Sequence, residues 1–427
     1  MNSLKIGICG VGNVGGAVLD TLEKNPEIIQ SQGGVKLDVE IVGARKGKSA
    51  VTNKNLNVVK DLREVAANKE IDVFVELIGG CDLAKDLVET AIKNGKHVVT
   101  ANKALIASHG DELFKLAKEN NVQIGFEASV AGGTPVIKAL REGLVANKIL
   151  WFAGILNGTT NFILSEMAEK NKSFNDALKE AQNLGLAEAD PTMDIDGTDA
   201  AQKATILAAL AFRVPFDFKS VSYGGIEQVD AEDLNYAEEL GYAIKHIAYG
   251  NLIEHKASVS AYPTLVSKDL LLSQVGQQMN ALDIFCEDMG STVYYGPGAG
   301  PKPTASAVIA DLVDVANGGW SLIDTSNDLN TLTKTNSNFP RYFRLNVKNE
   351  AGAIAKISSV FADDDISIEA LIQHEARKLP EETQDTVQVV IISGSVSDEL
   401  ISRLIENLES MKEIEGKVRQ FRIHNAI

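Results

Sequence analysis

The stretch KIGICGVGNVGGAVLDTLEK, residues 5–24, joins a short apolar run to an amphipathic helical pattern through three glycines in G-x-G-x-x-G spacing, Gly10, Gly12 and Gly15. Few local patterns restrict a fold so strongly. The first glycine permits a tight turn, the second lets a pyrophosphate approach the backbone, and the third lets the helix lie close against its strand. The N-terminus of that helix then attracts phosphate. A ligand-free glycine turn would read the same in isolation; the strand before it and the helix after it favour a dinucleotide cradle made by Gly10, Val11, Gly12, Asn13, Val14 and Gly15.

The surroundings extend this pattern. KLDVEIVGA, DVFVELI, KHVVT and VQIGFEA read as strands, and CDLAKDLVETAIKNG and GDELFKLAKEN as helices between them. Near-continuous apolar strands alternating with amphipathic helices indicate a parallel sheet covered on both faces. The fold class is therefore α/β, with a Rossmann-type doubly wound sheet over residues 1–130. An NAD site commonly places an acid after the second strand for the ribose hydroxyl. Ala44 and Arg45 stand there instead, with Lys46 and Lys48 nearby. Arg45 suits a 2′-phosphate and points to NADP, with NAD as the alternative; a solvated basic loop has the same composition.

Residues 131–303 change character: ILWFAGILN, KASVSAYPTLV and STVYYG read as strands among long helices, a mixed α+β substrate and oligomerisation domain. The amphipathic segment 304–320 is expected to pack back on the first domain. Residues 325–340, TSNDLNTLTKTNSNFP, have a linker composition. Residues 341–427 then read strand–helix–strand–strand–helix–strand, the ferredoxin-like split.

With 427 residues the chain can bury two or three cores. Its net charge of −17 argues against nucleic acid and against an anionic membrane surface. Cys9, Cys81 and Cys286 are too few and too scattered for a disulfide framework. No leader pattern or spanning run is evident, so a cytoplasmic protein is expected. His97, His109, His246, His255, His374 and His424 form no ligand-spaced cluster.

Beyond the glycine turn, VELIGG, VVTANKALIA, FEASVAGGTPVI and ILNGTTNFIL, and above all GLAEADPTMDIDGTDAAQK, resemble the homoserine dehydrogenase family along nearly the whole chain. The resemblance implies reversible NAD(P)-dependent hydride transfer between L-homoserine and L-aspartate-4-semialdehyde, on the route to threonine and methionine. It makes Lys203 the candidate general acid/base. A lysine in that role gives up its proton only where a second cation or dry surroundings oppose its charge. Lys103 is the candidate second cation, and Asp199, at i−4 from Lys203, can orient the ammonium. By spacing alone that pair would be an exposed helix ion pair worth about a few tenths of a kcal/mol.

The same resemblance assigns Glu188 and Asp194 to the substrate ammonium, with Gly158 and Thr159 as a substrate-contacting turn that equally suits a strand-to-helix cap. Asp190 before Pro191 and Asp196 before Gly197 read as turn chemistry. The family often has Tyr where Leu186 stands. Thr100 and Lys103 are expected beside the cofactor, and Gly300 of GPGAGP beside the nicotinamide. EASVAGGT resembles the family's monovalent-cation loop, implying a Na+-like ion on the Glu127 carboxylate and the Val130, Gly132 and Thr134 carbonyls; a hinge between domains is the other reading. The C-terminal unit resembles an ACT domain, which implies threonine as an effector at the turn holding Asn349 and Gly352, edge-to-edge pairing, and a homodimer or homotetramer. A purely assembling role is equally consistent. Two rival functions remain: another amino-acid or hydroxy-acid oxidoreductase on this scaffold, and an NADP-sensing regulator without catalysis.

Overall fold

In the computed structural model the protein is described over residues 2–47, 55–320, 330–333, 338–373 and 386–425. Lys48, His374, the polar stretch 377–385 (RKLPEETQD) and most of the segment read as a linker lie outside the described residues. Strands β1 (Asn2–Cys9), β2 (Val35–Gly43), β3 (Val58–Val59), β4 (Val73–Glu76), β5 (His97–Thr100) and β6 (Ile124–Gly125) form a six-stranded sheet in the order β3-β2-β1-β4-β5-β6. Every neighbouring pair is parallel. Chain order reverses at β1 and β4, so a crevice opens beyond their carboxyl ends.

All four β4 residues are buried, as a strand covered on both faces requires. The helix Asp82–Lys93 packs Leu87, Val88, Ala91 and Ile92 into one face of this sheet. The helix Pro301–Ala316 covers the other, joining Ala305, Val308 and Leu312 to Ile6, Ile8 and Val18.

Two boundaries differ from the sequence reading. The helix read as GDELFKLAKEN starts at Lys103, because Asn102 caps it by accepting the Leu105 N–H at 3.1 Å. The strand read as VQIGFEA ends at Gly125; the Glu127 N–H instead donates to Asp311 Oδ2 at 2.9 Å as a 3₁₀ turn, Glu127–Ser129, begins.

The second sheet is assembled from β7 (Ile149–Ile155), β8 (Ser222–Tyr223), β9 (Tyr242–Ile253), β10 (Lys256–Ser267), β11 (Met279–Cys286), β12 (Gly290–Pro297), β13 (Thr331–Leu332), β14 (Asn338–Lys348), β15 (Ile368–Gln373), β16 (Thr386–Ser397) and β17 (Arg419–His424). Its main path runs β12-β11-β7-β9-β10-β17-β14-β16-β15, with β8 and β13 also on β10. β9 and β11 escaped the sequence reading. β14 begins at Asn338, inside the segment read as a linker.

The C-terminal residues run strand, helix Ala353–Asp363, strand, strand, helix Asp398–Glu409, strand. Their sheet is not separate: β17 pairs parallel with β10, Thr264 against Arg422 and Val266 against His424. Between the two sheets lies the helix Thr198–Phe212, buried from Asp199 to Leu210. Ile206 and Leu207 have no exposed surface, and each such side chain contributes about 1.5–3 kcal/mol by leaving water. Its core includes Phe114 and Phe126 of the first half and Phe152 and Ala248 of the second. The helix therefore holds a seam between the halves.

Candidate active site

The glycine turn is built as a cradle. Gly10 adopts φ +97°, and a Cβ there would sit 2.4 Å from Leu77 O. A Cβ at Gly15 would sit 1.9 Å from Gly10 O, so only glycine lets this helix approach the turn. At Gly12 a Cβ would meet nothing within 4 Å. Gly12 precedes the helix Asn13–Lys24 and offers no side-chain cap, so the first amides of the helix remain available to an anion. These features fit a pyrophosphate. Arg45 is exposed just beyond β2. The Thr100 hydroxyl is committed inside the sheet, donating to Glu76 Oε2 at 2.6 Å, while Glu76 Oε1 accepts the Ile78 N–H at 2.8 Å.

At the seam, side chains from both halves meet on Asp199. Lys203 Nζ donates to Asp199 Oδ2 at 2.8 Å and to Leu156 O at 2.6 Å. Lys103, at the start of the helix after β5, places Nζ 3.1 Å from Asp199 Oδ1. Asn157 Nδ2 bridges two acids, at 2.7 Å from Asp194 Oδ1 and 2.8 Å from Asp199 Oδ2. Asn157 Oδ1 caps the helix Gly158–Lys170 through the Thr160 N–H, 2.7 Å away. The i,i+4 pair is not an exposed ion pair: Asp199 is 5% and Lys203 8% exposed.

Burial opposes ionisation of Asp199, yet the ammoniums of Lys203 and Lys103 outweigh it and hold the carboxyl below its usual range. Asp199 in turn raises Lys103 against the effect of burial, with smaller contributions from Asp194 and Glu188. Burial, then the charge of Asp199, pushes the Asp194 carboxyl up.

The structure thus gathers Lys103, Asp194, Asp199 and Lys203 in one network. Glu188 is exposed, close enough to act on Lys103 through its charge. Gly158 has no room for a Cβ, which would fall 2.7 Å from Gln278 O. Thr159 Oγ1 donates to Leu186 O at 2.8 Å and ties that loop to the helix. Asp190 accepts from Thr192 and Asp196 from the Thr198 N–H, both local turn bonds. The sequence reading passed over Asn157, although an Asn at the junction of strand and helix signals a cap. It also missed Asn280, whose Nδ2 donates to Leu156 O at 3.0 Å.

Glu127 lies away from this network and is 4% exposed. Its oxygens accept the Ile137 and Lys138 N–H groups at 3.0 and 2.7 Å and keep further acceptor capacity. Burial pushes the carboxyl up to about 7. Burial and the neighbouring Glu127 also raise Asp311. Thr134 Oγ1 is buried with no hydrogen-bond partner. The buried acids Glu127 and Asp311 are oxygen donors of the kind a hard cation takes. Gly132 and Gly133 donate to Gly298 O and Pro297 O, both at 3.0 Å, so this loop is knit to the GPGAGP turn that leads to Gly300. Among the described residues no group of three or more His, Cys, Asp or Glu is placed to hold a metal ion, and no helix is long and apolar enough to cross a membrane.

A phosphate cradle at the switch point of a doubly wound sheet, with a lysine just past β5 reaching a buried acid on the facing half, is the layout of a nicotinamide-dependent oxidoreductase. Comparison with known proteins makes this particular. The model of the homoserine dehydrogenase NAD-binding domain matches residues 10–127, and that of homoserine dehydrogenase matches residues 135–313. The chain is 44% identical to homoserine dehydrogenase of Pseudomonas aeruginosa over 99% of both chains, and 41% identical to that of Neisseria gonorrhoeae over 100% of this chain and 99% of the relative. A crystal structure of a homoserine dehydrogenase from Thiobacillus denitrificans superposes with a TM-score of 0.92 at 40% identity, covering 100% of this chain and 99% of the other. A hyperthermophilic archaeal homoserine dehydrogenase in complex with NADPH gives 0.63 at 31% identity, covering 75% of this chain and 99% of the other. The chain belongs to the homoserine dehydrogenase family of NAD(P)-dependent oxidoreductases.

Proposed function

We propose that the seam between the halves interconverts L-homoserine and L-aspartate-4-semialdehyde, with NADP preferred over NAD, in the synthesis of threonine and methionine. The observation that carries this reading is the meeting of Lys103 and Lys203, from opposite halves, on the single buried Asp199. A bound nicotinamide supplies the hydride, or takes it up. An ammonium has three donors. Two on Lys203 go to Leu156 O and Asp199, and the third donates to the substrate carbonyl oxygen during reduction; the same nitrogen takes the hydroxyl proton during oxidation. Asp199 fixes the position of Lys203. Lys103, kept charged by Asp199, favours the substrate carboxylate. Glu188 and Asp194 receive the substrate ammonium, and Gly158 and Thr159 border it. Gly10 to Gly15 hold the pyrophosphate, Arg45 the 2′-phosphate, and Thr100 and Gly300 flank the nicotinamide pocket. Glu127, with the carbonyls of Val130, Gly132 and Thr134, holds a Na+-like ion in a structural role.

Residues 338–424 are proposed to form an ACT-type effector module. The strand order β17-β14-β16-β15 supports it, as does the turn where Gly352, at φ +88°, precedes a helix beside the exposed Asn349. Threonine is the proposed effector, and a homodimer or homotetramer the proposed assembly. The test is homoserine-dependent reduction of NADP+, repeated with NAD+ and with added threonine. Faster turnover with NADP+ and inhibition by threonine are expected; no turnover with either cofactor sinks the reading.

A further inference from the structure

The far half of the helix Gly158–Lys170 borders a cavity of about 340 Å³ that the reaction does not use. Asn157 caps this helix at the catalytic end; Leu164, Ser165, Ala168 and Glu169 line the cavity two to three turns on. Opposite them stands Lys245 of β9. It is 7% exposed, and its Nζ donates to Val275 O at 2.8 Å. Among the described residues no carboxylate comes within ion-pair distance of it, and burial, against the charge of Glu169, pushes the amine down to about 8. A buried ammonium with one neutral acceptor is costly and leaves two donors unspent beside an open cavity.

We propose that this cavity is a second binding site, distinct from the catalytic seam, which takes a small monocarboxylate with a short apolar tail on Lys245. The chemistry follows from the lining. One cation on the floor matches one negative charge. Glu169 and Glu238 line the same cavity and disfavour a dianion, and the other lysine there, Lys268, is already paired with Glu238. Leu164, Ala168 and Leu234 offer an apolar wall. A plain aliphatic acid and an α-amino acid share this chemistry, the second adding an ammonium for Glu169.

A chain of hydrogen bonds, with one peptide link, also joins the site to the seam. Val275 O, held by Lys245, also accepts from Asn161 Nδ2 at 3.1 Å, and the same amide reaches Met279 O at 3.2 Å. The next residue, Asn280, holds Leu156 O, the carbonyl to which Lys203 donates. The binding claim stands independently of the role proposed for Lys203.

The test is reductive methylation of the full-length enzyme with formaldehyde and a borane reductant, read lysine by lysine by mass spectrometry. Propionate, butyrate, alanine, valine and inorganic phosphate are the probes, with melting temperature as a second readout. Saturable protection of Lys245 by monocarboxylates is expected, with binding at least about tenfold weaker in Lys245→Met and basal turnover unchanged. Ala168→Phe, which fills the cavity and keeps the lysine, is expected to abolish protection and covers the case of a poorly folded Lys245→Met. Tighter binding of alanine and valine than of propionate and butyrate supports the site and assigns Glu169 to the ammonium. Protection of Lys103 or Lys203 instead, equal and unsaturable effects of phosphate and carboxylates, or unaltered binding in both variants overturns the proposal. So does a Lys245 that reacts only after the native assembly is dissociated, since a second copy of the chain would then cover it.

Discussion

Two charge clusters, each centred on buried groups, join distant parts of this chain, and they are built on opposite plans. At the seam, Lys103 and Lys203 share one carboxylate, Asp199, and Lys203 keeps a donor in reserve. Where the C-terminal unit meets the rest, Arg344 of β14 faces three acids around the start of the helix Ala231–Glu239. Its Nε meets Asp233 Oδ1 at 2.6 Å, its Nη1 meets Glu232 Oε2 at 2.5 Å, and its Nη2 meets Asp230. Tyr342 adds a hydroxyl 3.1 Å from Asp233. Burial works against the Arg344 charge; the hydrogen bonds and charge of Asp233, with Asp230, outweigh it and keep the guanidinium protonated. Every guanidinium nitrogen is occupied, so this cluster is a closed joint. Surplus cation capacity beside a cofactor cradle marks a place for chemistry; saturated charge marks a fastening.

Substitutions test that contrast. Lys203→Met is expected to lower kcat about 10²–10⁴-fold, with a smaller loss of stability than at Arg344, since Lys103 and Asn157 still hold the buried Asp199. A melting point that collapses with activity would make the seam a fastening as well. Arg344→Met is expected to do the reverse, costing about 3–5 kcal/mol in denaturant unfolding because Asp233, with no exposed side-chain surface, is left uncompensated. Turnover per folded molecule should hold, and Asp233→Leu added to it should recover part of the loss.

Asn157→Asp sharpens the comparison from within the seam. The oxygen that caps the helix survives and the donor shared by Asp194 and Asp199 is replaced by a like charge, so kcat/KM is expected to fall about tenfold or more, with a loss of stability that eases at low pH.

The smallest effect concerns Glu127. Its folded value of about 7 lies above the ordinary 4.5. The folded chain then retains a proton that the unfolded chain has lost, so the contribution to stability is complete below pH 4.5 and disappears as pH rises through 7. A cation at the proposed site would compete with that proton. Added Na+ should therefore raise the melting temperature more at about pH 8 than at about pH 5.5, and Glu127→Gln should remove the difference.

The first sheet was legible because its signals are local: glycines at fixed offsets and strands that are apolar along their length. β9 and β11 were hidden by their own buried polar residues, Lys245 and His246 in one, Asn280 and Asp283 in the other, which interrupt the apolar pattern. The candidate lysines of the seam were found through motif resemblance, since nothing in their spacing says that residues 103 and 199 touch. Asp311 carried a faint local signal, an acid on the apolar face of AVIADLVDVA, and its tie to Glu127 spans 184 positions. The Arg344 joint spans 111 positions to Asp233 and carries none.

The union of β17 with β10 also orders the making of the molecule. Residues 264–266 gain their neighbours 422–424 only once the long stretch of chain between them has been made. Until β17 is made, that edge of the central sheet stands open to other strands.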